Sequence, residues 1–178
     1  YIVQEQVHLA LVRGDEQAAQ RALDESGVAV AAPTNHAREV VHLAHLHLLL
    51  YRLAGQLAAS RLGTVGGELA TTTLGLAARV AASAEAGGRL GRTIEALCVR
   101  AIALEAQGKQ AAAQADLRRA LQLAAPSGYI RLFMGLGPAM ARLLAEYNPP
   151  PEQAAYAARL RSVLSAALGS RPAPRAQP

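Results

Sequence analysis

The sequence predicts an all-α fold, built from antiparallel helical hairpins stacked into a right-handed superhelix. Three observations carry this. Apolar residues make up 52% of the 178 but are mostly Ala and Leu, while aromatics are 3%. Ala, Leu, Arg, Gln and Glu lose little entropy in a helix, and the β-branched and aromatic residues that strands favour are scarce. Helix-period segments are separated by glycine turns at Gly14, Gly27, Gly87-Gly88 and Gly108. Around Gly108 small and large apolar residues alternate as two close-packed helices require: Ala101 before the turn, then Ala113, Leu117, Ala120, Leu121 and Leu123, with Pro126 just beyond.

The elements follow in order. Residues 1–13 read as a helix turned by Gly14-Asp15, and the Asp15 carboxylate suits the first N–H groups of a second helix ending near Glu25. Residues 28–35 hold Pro33 and read as a connector. Thr34 or Asn35 then caps an apolar helix over about 37–54. Between 55 and 73 the glycines Gly55, Gly63, Gly66 and Gly67 and the run Thr71-Thr72-Thr73 weaken helix. A short helix over 56–62, a break over 63–67 and a new helix over 68–86 are expected. Helices over 89–107 and 110–124 follow. Another spans 129–147, open to interruption near Pro138, which lacks the N–H a helix interior needs. Pro149 and Pro150 stop it, and Pro151 suits the first turn of a last helix over 151–168. The helical domain is therefore set at 1–168, and 169–178, with three prolines and no large apolar residue, reads as a disordered linker.

Several function classes recede on composition. The net charge of +5 suits an acidic partner, but the positive charges are single arginines spread along helices, with Lys109 the one lysine, and no nucleic-acid-reading element is visible. One cysteine, Cys98, excludes an internal disulfide and fits a reducing compartment. No apolar run is long enough to span a bilayer, and residues 43–50 are interrupted by His45 and His47. A cytoplasmic protein without membrane contact is expected.

The alternation around Gly108 is close to the tetratricopeptide (TPR) pattern, and it recurs more weakly around Gly14 with Val7 and Ala19. One such pair cannot bury its apolar face alone, so neighbours must stack. In TPR-type pairs the first helix lines a concave face. Counting back from the turn glycines predicts a polar groove. It would contain Gln4 and His8 from Gly14, His42, His45, Leu49 and Arg52 from Gly55, and Glu95, Cys98, Ile102 and Glu105 from Gly108. Such a groove would take a small polar ligand or a peptide; the plain alternative is a solvated groove with no ligand. His42/His45 and Glu95/Cys98 are each one turn apart, a zinc-compatible donor set only if the pairs sit on adjacent helices. No CxxC or HExxH motif supports that, so no metal or other cofactor is expected. His47 faces elsewhere on its helix and reads as a packing residue. Tyr129 and Phe133, four apart, read as core. No Ser-His-Asp or Cys-His order suggests a nucleophile, and no enzymatic activity is expected.

Residues 121–133, LQLAAPSGYIRLF, run into GPAMARLL at 137–144. An Ala/Leu-rich helix ending in Pro-x-Gly-Tyr-x-Arg-x-Phe, then Gly-Pro-x-Met, resembles the end of the TPR-like sensor region of MalT-like, LuxR-type transcriptional regulators, which are bacterial signal-transducing ATPases. The resemblance is good over 68–144. Residues 55–67 look like an insertion relative to the family, and Gly135 stands where an acidic residue is common. The family joins a nucleotide-binding domain, helical modules and a DNA-binding helix-turn-helix. This chain has no GxxxxGK[ST] loop, and residues 170–178 resemble the linker before the helix-turn-helix. The resemblance implies a sensor segment that takes up a small inducer or a partner protein or peptide, touching ATP and DNA only through domains absent here, and leaves room for a homo-oligomer. A constitutive TPR-type adaptor for a peptide or protein is the alternative.

Overall fold

The computed structural model describes residues 2–59 and 67–169, and among these nine α-helices and one 3-10 turn form the whole architecture, without strands. The helices are α1 (Ile2–Val12), α2 (Glu16–Glu25), α3 (Glu39–Ala59), α4 (Glu68–Ala86), α5 (Leu90–Ala106), α6 (Gln110–Ala124), α7 (Arg131–Gly135), α8 (Gly137–Glu146) and α9 (Pro151–Gly169). They stack as hairpins. The first members, α1, α3, α5 and the α7–α8 pair, pack in series, while α2 backs α3, α4 backs α5, and α6 meets α9.

The same backbone device closes successive hairpins. After α5, Gly108 at φ +73 lets its own N–H donate to Glu105 O (2.8 Å) and the Lys109 N–H donate back to Leu104 O (3.0 Å). This is a Schellman closure, which satisfies orphan carbonyls and needs the left-handed residue that glycine supplies most cheaply. The bond pattern recurs after α4, with Arg89 N–H on Ala84 O at 2.8 Å, and after α1, with Asp15 N–H on Ala10 O at 2.9 Å. Asp15 also caps α2, accepting from the Ala18 N–H at 2.8 Å. Of the two candidate caps for α3, Asn35 takes the role, accepting from the Arg38 N–H at 3.1 Å.

The alanine seams are real. Ala77, Ala84, Ala96, Ala101, Ala103, Ala113, Ala120 and Ala124 are all 0% exposed, so α4, α5 and α6 approach closely along them. Large side chains fill what remains: Leu76, Ile94, Ile102, Leu117, Leu121, Phe133, Met140 and Leu143 are buried in one core that runs from α3 to α9. A smaller core of Val7, Ala19, Leu23, Ala44 and Leu48 joins the first hairpin to α3. Polar ties join the elements. Arg100 clasps Asp116 with two bonds of 2.6 and 2.5 Å between α5 and α6, and the Arg161 guanidinium donates to Leu144 O and Tyr147 O at the end of α8.

The structure corrects the expected segmentation in the middle of the chain. α3 does not turn at Gly55 but runs on to Ala59. Gly55 has open space around it, and one exposed helix glycine costs only ~1 kcal/mol. Burial of Leu53 and Leu57 on the opposite face outweighs that. The rest of the expected short helix, and most of the break after it, lie outside the described residues, as do 170–178 of the expected linker; Gly169 is the last residue of α9. The expected interruption near Pro138 falls at Leu136, which separates α7 from α8.

Candidate functional site: a groove on the first-helix face

Because the first helices pack in series, they leave a shared face, and a groove of about 420 Å³ opens on it. α1 contributes His8, Leu11 and Val12. α3 contributes His47, Leu50, Tyr51, Ala54 and Gly55. The α7–α8 junction contributes residues 135–139, including Leu136 and Pro138. The positions 47, 50, 51 and 54 are spaced i, i+3, i+4, i+7, one stripe of a helix. The groove is in the size class of drug-sized ligand sites, roughly 300–1,000 Å³. Its walls are mainly apolar, where a polar groove was expected.

The polar end is an imidazole pair. The His47 Nε2–H donates to Glu95 Oε1 of α5 at 2.6 Å, and the His8 ring meets His47 edge-on with centroids 6.5 Å apart. Both His47 and Glu95 side chains are mostly buried, at 13% and 14% exposure. Among the described residues no Arg or Lys lines the groove.

The structure sorts the predicted site residues. His8 lines the groove, and Glu95 supports it from behind through His47. Gln4 is half-buried on α1 but outside the lining. His42 and His45 are not on this face. Both are buried, His45 donating from Nε2 to Val28 O at 2.7 Å and His42 pairing through Nδ1 with the Thr34 hydroxyl at 3.1 Å. They hold the 28–35 connector against α3, aided by Arg79 of α4, which donates to Val30 O at 2.6 Å. Arg52 is tied to Glu16 (2.8 Å) and Gln20 (3.0 Å) of α2. Glu105 pairs with Arg142 of α8 at 3.0 Å. Cys98 is fully buried, and burial, then the carboxylates Glu95 and Asp116, push its thiol far up, so it offers neither nucleophile nor ligand.

For His42, His45 and Arg52 the reason is the turn; Gln4, Cys98 and Glu105, counted from true turns, lie outside the lining as well. Counting from Gly55 as a hairpin glycine put the inward stripe on 42, 45 and 52; since α3 continues through Gly55, the inward stripe is the one holding His47. Counting from that turn makes His47 a packing residue, whereas in the structure it lines the groove at its polar end. The signal that finds it is its 3/4 spacing with Leu50, Tyr51 and Ala54. The zinc-compatible pairs do not converge either: among the described residues no group of three or more His, Cys, Asp or Glu side chains could hold a metal ion. No helix among them is long and apolar enough to cross a membrane.

The buried imidazoles carry a pH consequence. Burial, the largest cause, holds both His42 and His45 below the ordinary value of 6.5; at His42 the Ala29 backbone opposes it and His45, Arg79 and Arg38 act with it, while the Val28 carbonyl and then Asp24 oppose it at His45. The unfolded chain therefore binds protons more readily, so stability is complete above about pH 6.5 and falls as pH drops below it. Thermal melts are expected to show Tm falling from neutrality toward pH 5.5, well above the carboxylate range, and His42→Gln/His45→Gln is expected to flatten that slope. An unchanged slope would remove these two residues as its source.

Serial hairpins with glycine closures, alanine seams and one concave lining define a TPR-like helical-repeat protein. The model of the MalT-like TPR region matches residues 2–149, and the chain belongs to that family. No curated protein and no solved structure matches the chain.

Proposed function

We propose that this chain is a ligand-sensing and protein-interaction module of a bacterial LuxR-type transcriptional regulator, taking a small inducer or a partner segment into the groove between α1, α3 and α7–α8. The observation that supports this reading best is that one groove is bounded by three first-helix elements at once. An occupant would touch the first hairpin, α3 and the α7–α8 junction together, and so favour one relative arrangement of them. Differential affinity for two such arrangements is what shifts a population, and neighbouring domains of a regulator would read the shift. The module itself is non-catalytic in this reading, and ATP and DNA are handled elsewhere in the regulator.

Ala54 gives a direct test. It lies exposed on the groove wall, so Ala54→Phe fills the space without disturbing the core. A thermal-shift screen of metabolites is expected to return stabilisers of the wild type that lose their effect on Ala54→Phe. Stabilisers that act equally on both proteins would place binding elsewhere. A constitutive adaptor would be distinguished by the reverse pattern, with peptides captured and no small molecule stabilising.

A further inference from the structure

The chemistry of the groove's polar end restricts what can occupy it. A carboxylate only accepts hydrogen bonds, so the 2.6 Å contact of His47 with Glu95 fixes a proton on His47 Nε2. In the neutral ring Nδ1 is then an acceptor that makes no hydrogen bond among the described residues and is open to water, since the buried unpaired side-chain atoms lie elsewhere. The nearest cation on α3, Arg52, is turned away and held by Glu16 and Gln20 of α2. Among the described residues no lysine or arginine lines the groove, so an anionic head would meet no countercharge from them and would face the Glu95 carboxylate behind His47. A cationic head would find that carboxylate already engaged. Beyond the imidazoles the one other polar side chain on the walls, among the described residues, is the uncharged Tyr51; the rest is apolar, with Leu11, Val12, Leu50, Leu136 and Pro138 the largest.

Resting on the groove reading above, we infer that the occupant is an uncharged, amphipathic small molecule whose hydroxyl donates to His47 Nδ1 while an apolar body lies between Leu50 and Ala54 of α3 and the α7–α8 junction. Glu95 acts as a positioning residue: it holds the imidazole in the tautomer that presents an acceptor. The His8 ring, packed edge-on against His47, closes the polar end. Discrimination comes from the acceptor that a bound ligand would cover. A ligand of the same shape without a donor leaves Nδ1 desolvated and unpaired, which is costly, whereas a donor restores what water supplied.

The test compares three naphthalene probes of nearly one shape near neutral pH: 2-naphthol, 2-methoxynaphthalene and 2-naphthoate, titrated by fluorescence into the full chain. 2-Naphthol is expected to bind about tenfold more tightly than 2-methoxynaphthalene, the factor one hydrogen bond to an acceptor covered by the ligand supplies. 2-Naphthoate is expected to bind most weakly. In His47→Phe the preference for naphthol over its methyl ether should vanish while the ether binds as before. Since that variant strands Glu95, His47→Phe/Glu95→Leu serves as a second form, each checked for helicity by circular dichroism.

Equal affinities for naphthol and its ether, tightest binding of 2-naphthoate, or a naphthol preference that survives both variants would overturn the inference. In those cases the groove reading stands only if Ala54→Phe abolishes binding of the probes. If no probe binds, or Ala54→Phe changes nothing, the groove reading itself fails.

Discussion

Glu39→Ala is expected to cost about 3–5 kcal/mol of unfolding free energy, the usual cost of breaking a buried ion pair by removing one partner. Glu39, the first residue of α3, is 0% exposed, yet it binds Arg89, just before α5, through both oxygens (2.7 and 2.5 Å) and Arg92 of α5 at 2.8 Å, and accepts from the Ser83 hydroxyl of α4 at 2.5 Å. Burial alone would raise its carboxyl, but the bonds from Arg89, Ser83 and Arg92 win and hold it at about 2, against an ordinary 4.5. The low value has a definite sign: the unfolded chain takes up the proton first. Stability from this cluster is complete above pH 4.5 and is lost as pH falls toward 2. Urea denaturation at neutral pH measures the mutational cost. Ser83→Ala, which removes one bond and leaves both guanidinium partners, is expected to cost only ~1 kcal/mol. A Glu39→Ala cost no larger than that of Ser83→Ala would show that the cluster does not tie α3, α4 and α5 together.

Phe133→Ala is the second large effect, expected at about 3–5 kcal/mol for a fully buried aromatic. Phe133 is the one phenylalanine of the chain. It is 0% exposed and meets Tyr156 of α9 edge-on, with centroids 6.3 Å apart. α7 has only five residues and cannot persist by propensity, so this side chain anchors it. Because Leu136 and Pro138 follow directly, loosening α7 also loosens one wall of the groove. The variant should therefore lose groove binding as well as stability. Equal binding by Phe133→Ala and wild type would show that the groove does not depend on α7.

The fold was open to sequence reasoning wherever local chemistry decides structure. Gly14, Gly88 and Gly108 close helices because a Schellman turn needs a left-handed residue, and Ala101, Ala113 and Ala120 mark seams because only small side chains fit them. Gly55 misled for the complementary reason. A helix interior tolerates one glycine when Leu53 and Leu57 are buried across from it, and that packing is tertiary information. The groove stripe inherits the error: His42, His45 and Arg52 are counted from a turn that does not exist, while of the residues counted from the true turns at Gly14 and Gly108 His8 lines the groove and Gln4, Glu95, Cys98 and Glu105 do not. The roles of His42 and His45 were hidden too, since they bind Val28 and Thr34, partners in an irregular connector with no period to count.

The groove between α1, α3 and the α7–α8 junction as the binding surface is tested most directly by mapping amide shifts of the labelled chain during a 2-naphthol titration. Saturable shifts should gather at residues 8–12, 47–55 and 135–139 and vanish in Ala54→Phe. Shifts gathered instead on the 28–35 connector or on α2, α6 and α9, or persisting unchanged in Ala54→Phe, would contradict the account.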